Sequence, residues 1–165
     1  MKNTINKLIA ALVIFSSLQS CSKEDGPLSD LKPAIPVTVV NAFAYRPEPT
    51  VTTTLATTDS IIRIVLSIPK ESNKTITSIK VATGTSYTQI QSTGTTGFYP
   101  LGTMTISGNT ATFVTSIREY FINKVVSASN PAAAKDKELT NRYYFAITLN
   151  DGSVLISEPV RVLVL

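Results

Sequence analysis

From residue 37 onward apolar and polar residues mostly alternate, and an alternation of period two marks a strand with one buried face. Residues 61–68 place Ile62, Ile64, Leu66 and Ile68 on one side, and Tyr143, Phe145, Ile147 and Leu149 repeat the pattern. Asn150-Asp151-Gly152-Ser153 supplies a tight turn into Val154, Ile156 and a closing run of Val160, Val162 and Val164. Ser107-Gly108-Asn109 makes a similar turn between residues 104–106 and a strand around Phe113. Further strands are predicted at 37–44, 51–56, 75–82 and 87–91, with a bulge near Thr77-Ser78 where the alternation slips phase. About eight short strands at this spacing predict an all-β fold, a two-sheet β-sandwich. Its core should include Ile62, Ile64, Leu66, Phe113, Tyr143, Phe145, Ile147, Val160 and Val162.

Two segments break the period. Ser116 followed by Glu119 has capping-box spacing, and Ile117, Tyr120 and Phe121 fall on one helical face, so 116–123 is predicted to be a short helical insertion. Asn130-Pro131 has the composition of a second helical start running through Ala132, Ala133 and Ala134, because proline is tolerated at the first helical position.

The other hydrophobic feature lies ahead of the strands. Residues 8–15 form an unbroken apolar run behind Lys2 and Lys7, and a short polar stretch then leads to the single cysteine, Cys21. The run is too short to cross a bilayer core of about 30 Å, so residues 1–20 are predicted to be a signal peptide. Leu18-Gln19-Ser20-Cys21 resembles the lipobox of bacterial lipoproteins, which implies cleavage before Cys21 and acylation of that cysteine, with palmitate among the chains. Acyl chains bury methylenes at about 0.8 kcal/mol each, so the two or three expected on such a cysteine anchor durably. Lipidation also removes an otherwise free thiol from an exported chain.

Directly behind the cysteine, Lys23-Glu24-Asp25 resembles the tract that carries lipoproteins of Bacteroidota-type bacteria to the outer face of the outer membrane. The resemblance implies a lipid-anchored protein facing the cell exterior; the plain alternative is a solvated tether. Pro27, Ser29, Asp30, Pro33 and Pro36 give residues 21–36 the composition of an extended tether, leaving 37–165 as one domain. The formal charge of +4 falls to +2 once Lys2 and Lys7 leave with the signal. No basic cluster is denser than Lys135-Asp136-Lys137, so no nucleic acid partner is expected.

Leu139 ahead of Tyr143-Tyr144-Phe145, the turn at Asp151-Gly152 and Ser157-Glu158-Pro159-Val160 resemble the end of a fibronectin type III or immunoglobulin-like domain. The resemblance implies that a tyrosine here, Tyr143, bonds back to the backbone at a corner. The chain departs from that pattern in having no tryptophan and in the long insertion between Phe113 and Tyr143.

With no histidine in the chain, Ser-His-Asp and Cys-His mechanisms are closed, and metal sites lose their usual nitrogen and sulfur ligands. A carboxylate-pair glycosidase stays formally open through Glu48, Asp59, Glu71, Glu119, Asp136, Glu138, Asp151 and Glu158, but these are scattered, mostly in turn-like or helix-capping contexts where a solvated role is expected. No enzyme activity, metal or cofactor is expected. The candidate ligand site is the Gly/Thr/Ser-rich stretch 83–102, which carries Tyr87, Phe98 and Tyr99 with Gln89 and Gln91 beside them. These form either an exposed aromatic platform with amide hydrogen bonds for a sugar, or a hairpin whose aromatics fold onto the core. A platform requires at least two of the three aromatics to face solvent on one side. The function expected is a non-catalytic surface lipoprotein that binds a glycan or an outer-membrane protein. Two alternatives stand beside it: a fimbrillin-like structural or adhesive subunit whose apolar strand 161–165 pairs with another subunit's sheet edge, and a carboxylate-dependent glycan-active enzyme.

Overall fold

Clean alternation gives regular strands with one buried face. In the computed structural model β3 (Ile61–Ser67) turns Ile62, Ile64 and Leu66 fully inward and leaves Ile61 and Arg63 exposed. It lies between β1 (Thr38–Val39) and β6 (Thr110–Ser116), and β6 is followed by β5 (Met104–Ser107) at the far side, all antiparallel. The hairpin between β5 and β6 turns at Gly108, whose φ of 59° is a conformation glycine adopts at no steric cost. The described residues are 35–45, 47–55, 60–91, 98–99, 104–124 and 127–165, and those from Ile35 onward belong to one compact unit. The signal segment, Cys21, Lys23, Glu24, Asp25 and nearly all of the tether lie outside them.

A second sheet has β8 (Arg142–Leu149) at its centre, flanked by β4 (Ile76–Gly84) and β9 (Val154–Ile156), again antiparallel. The register of β4 against β8 shifts between Ile76 and Ser78, the bulge expected from the slipped alternation. A third sheet places β10 (Arg161–Val164) between β2 (Thr50–Thr53), which runs parallel to it, and β7 (Lys137–Glu138), which runs antiparallel. Tyr143 and Val160 join the second and third sheets, each amide donating to the other's carbonyl at 2.9 Å. The fold is therefore all-β, with ten strands among the described residues. All three sheets bury their apolar faces in one shared cluster, and every core residue expected from the alternation is in it. Phe113 of the first sheet meets Phe145 of the second edge to face, with ring centroids 5.7 Å apart.

The short helix is present as α2 (Ile117–Asn123), with Ser116 as its cap and the Glu119 amide donating to the Ser116 hydroxyl. Several other expectations are corrected. The segment 87–91 is not a strand: α1 (Thr88–Gln91) forms instead, because Ile90 buries itself over the outer side of the second sheet against Ala82 and Tyr144. Residues 131–134 are not helical, since the Asn130 side chain that should cap them accepts a hydrogen bond from the Tyr120 hydroxyl. The strand expected at 37–44 stops after Val39. Beyond it the Asn41 side chain takes the place of a strand partner, donating to the Arg63 carbonyl and accepting from the Val65 amide, both at 2.8 Å. The phase of β9 is the reverse of the expected one: Leu155 is buried opposite Ile147, whereas Val154 is exposed. The chain then changes parity across Ser157-Glu158-Pro159 before Val160 turns inward.

Because Phe145 is fully buried at the junction of the sheets, Phe145→Ala should cost about 3–5 kcal/mol, a large part of the stability of a domain this size. Chemical denaturation followed by circular dichroism checks it: the wild type should give a strand-dominated spectrum, and the variant a sharply lowered midpoint.

Candidate functional site

The segment expected to form the platform divides between the two sides of the second sheet. Phe98 and Tyr99 add a single extended bridge to the edge of β4, through Ala82 and the Tyr99 amide bonded to the Val81 carbonyl at 3.0 Å. Neighbouring residues on extended backbone point to opposite faces. Phe98 accordingly lies on the outer side, half-buried, with the Lys80 ammonium 4.0 Å from its ring centroid. Tyr99 turns into the core, only 7% exposed, edge to face with Phe113. Tyr87, at 41% exposure, stands edge-on to Tyr144, which also borders Phe98. Gln91 is exposed, and Gln89 lies half-buried against Gly84. Two of the three aromatics, Tyr87 and Phe98, thus share the outer side, the first exposed and the second half-buried, whereas Tyr99 lies on the core side.

What Tyr99 does instead is close a buried set of tyrosines. Its hydroxyl lies 3.2 Å from that of Tyr143, whose ring also contacts Phe113 and Tyr120. The corner role expected of Tyr143 falls to Tyr120, whose hydroxyl accepts from the Asn141 backbone amide at 2.9 Å and donates to Asn130 Oδ1 at 3.0 Å. A hydroxyl can do both at once, so one buried atom fixes two separate loop positions. Burial pushes the phenol of Tyr99 up to about 12, and those of Tyr143 and Tyr120 also upward, because a phenolate would have to form away from water.

Asn130 and Asn141 are also walls of a groove of about 270 Å³, which Gln89, Gly84, Lys124 and Ser129 help to line. The close approach of α1 to β4 that brings Gln89 here depends on Gly84, where an added Cβ would lie 2.9 Å from the Gln89 Cβ. Lys124 ends α2, and its backbone carbonyl accepts from the Asn130 side chain. Partial burial lowers the pKa of its ammonium, and no carboxylate among the described residues is paired with it. Of Tyr87, Gln89, Gln91, Phe98 and Tyr99, Gln89 lines this groove. Asn130 has the sequence of a helix cap and Tyr120 the spacing of a helical apolar face, and Lys124, Ser129 and Asn141 carry no spacing signature that singles them out.

Two of the scattered carboxylates are brought together elsewhere. Glu48 pairs with Arg142 and lies 3.8 Å from Arg161, which pairs in turn with Glu138. This balanced quartet ties the connection before β2 to β7, β8 and β10. Among the described residues no three His, Cys, Asp or Glu side chains are grouped to hold a metal, and no helix is long and apolar enough to cross a membrane. No family model matches the chain, and no curated protein matches it.

The raised phenols have a consequence for stability. A group that holds its proton more tightly when folded stabilises fully below its unfolded pKa, and that contribution is lost as pH rises through the folded value. For Tyr99 the window runs from about pH 10 to about 12. Denaturant unfolding at stepped alkaline pH should show stability falling across this window, and Tyr99→Phe should flatten the fall. Identical profiles for the two proteins would contradict the buried placement of the hydroxyl.

Proposed function

We propose that this chain is a non-catalytic, lipid-anchored cell-surface binding module built on an immunoglobulin-like β-sandwich. The strand order supports the fold reading. With β2 taken as the continuation of the first strand, and β7–β8 and β9–β10 as two interrupted strands, the sheets follow the order 1-2-5-4 and 3-6-7. That is the order of a constant-type immunoglobulin domain. Signal peptide, acylated Cys21 and outward display follow from the amino-terminal tract, and the tether 21–36 carries the domain away from the membrane.

The observation that carries the binding reading is the groove of about 270 Å³, a polar concavity walled by amide and hydroxyl side chains and held from behind by the Tyr120 hydroxyl. Such a site presents hydrogen-bond donors and acceptors to a ligand. The fimbrillin-like alternative loses its original support, because the strand expected to offer a free edge is β10, flanked by β2 on one side and β7 on the other.

The display part of the proposal is tested in the native host. Mass spectrometry of the mature protein should find an acylated Cys21 at the amino terminus. Protease added to whole cells should digest the wild type, whereas joint replacement of Lys23, Glu24 and Asp25 by alanine should leave the lipid in place and shield the protein. An unmodified amino terminus contradicts the anchor, and a wild type already protected from protease contradicts outward display.

A further inference from the structure

We infer that the groove beside Lys124 takes one acidic sugar residue, a hexuronate-like ring with a single carboxylate and several hydroxyls; this rests on the binding-module reading above. The sign of the ligand follows from Lys124. Its ammonium is partly withdrawn from water and pairs with no carboxylate of the described residues. A cation in that position gains most from an anion that replaces the lost hydration with a charge-assisted hydrogen bond.

The number of charges follows from the rest of the lining. Lys124 is the single charged residue among the described residues that form the groove, so one negative charge is matched and a doubly charged phosphate is not. Ser127 and Ser129 supply exposed hydroxyls and the half-buried Gln89 an amide, groups that both donate and accept, as adjacent sugar hydroxyls do, while Asn130 and Asn141 form the buried floor. Among the described residues no aromatic side chain lines the groove, so a planar aromatic acid finds none of them to stack on. A volume of about 270 Å³ lies just under the range of sites for drug-sized ligands and suits one sugar ring, with the adjoining units of a chain left in solvent.

The test is calorimetric titration of the intact lipidated protein in detergent, with galacturonate and an oligogalacturonide as acidic probes, galactose and a galacto-oligosaccharide as neutral ones, and galactose phosphate as the dianion. The acidic sugars should bind, and their neutral counterparts should bind roughly tenfold or more weakly, the ratio that one charge-assisted bond confers. Lys124→Gln should abolish that preference, whereas Lys70→Gln, at an exposed lysine on a separate turn, should preserve it. Binding of the oligogalacturonide places the acidic ring within a glycan; binding of galacturonate alone assigns the groove to the free sugar acid. Equal affinity for neutral and acidic sugars, a preference for the phosphate, or an acidic preference that survives Lys124→Gln each overturns the inference. The first of these outcomes leaves the binding module intact. Absence of binding to every sugar, alongside capture of an outer-membrane protein from cells, overturns the inference and keeps the broader reading with a protein partner.

Discussion

A buried hydroxyl is costly to leave unpaired, and although that of Thr83 is left so, the loops around the sheets are positioned by how three tyrosines satisfy theirs. Leaving a buried polar group unpaired costs about 1–3 kcal/mol, comparable with the gain from burying a whole aliphatic side chain. Tyr143 places its hydroxyl in the middle of the core, where that of Tyr99 is within reach at 3.2 Å. Holding Tyr99 there fixes the 98–99 bridge on the edge of β4 and covers part of an otherwise open strand. Tyr120, in contact with Tyr143, sends its own hydroxyl outward to Asn130 and to the amide of Asn141. The polar groove is therefore a consequence of core packing, since the atoms that hold two of its walls belong to the core.

β8 is the strand through which these effects pass. Its inner face carries Tyr143, Phe145, Ile147 and Leu149, all buried, and its outer face carries Arg142 and Tyr144. Arg142 joins the charge quartet with Glu48, and Tyr144 supports Ile90, Phe98 and Tyr87. One eight-residue strand thus anchors the core, the ion-pair network and the small outer cluster on which α1 rests. Half-buried ion pairs of this kind add modest stability for each pair. Their geometric effect is larger, because the quartet fastens the β1–β2 connection where no long strand pairing exists.

The class of the fold was legible because alternation is a property of each strand by itself. Ile62, Ile64 and Leu66 in β3, and Phe145 and Ile147 in β8, could be placed from their own segments. The turn at Gly108 and the cap at Ser116 were equally local. Readings failed where a distant partner decided the outcome. Asn130 has the sequence of a helix cap but is used by Tyr120, ten residues away, and β7 exists only because β10 lies beside it. Tyr99 looked like a loop aromatic, yet the bridge to Ala82 determines which side of the sheet it faces. The groove was the least legible feature, since its walls come from β4, α1, the end of α2 and the two loops that follow it, and no short motif spans them.

The central claim is that the Tyr120 hydroxyl secures the groove from within the core. Amide hydrogen exchange of Asn141 in Tyr120→Phe tests it most directly, because the substitution keeps the ring and removes one oxygen. The Asn141 amide should then exchange several-fold to about tenfold faster relative to amides of central β8, the ratio expected from loss of one hydrogen bond worth about 1 kcal/mol. Unchanged relative protection of Asn141 in the variant would contradict the account.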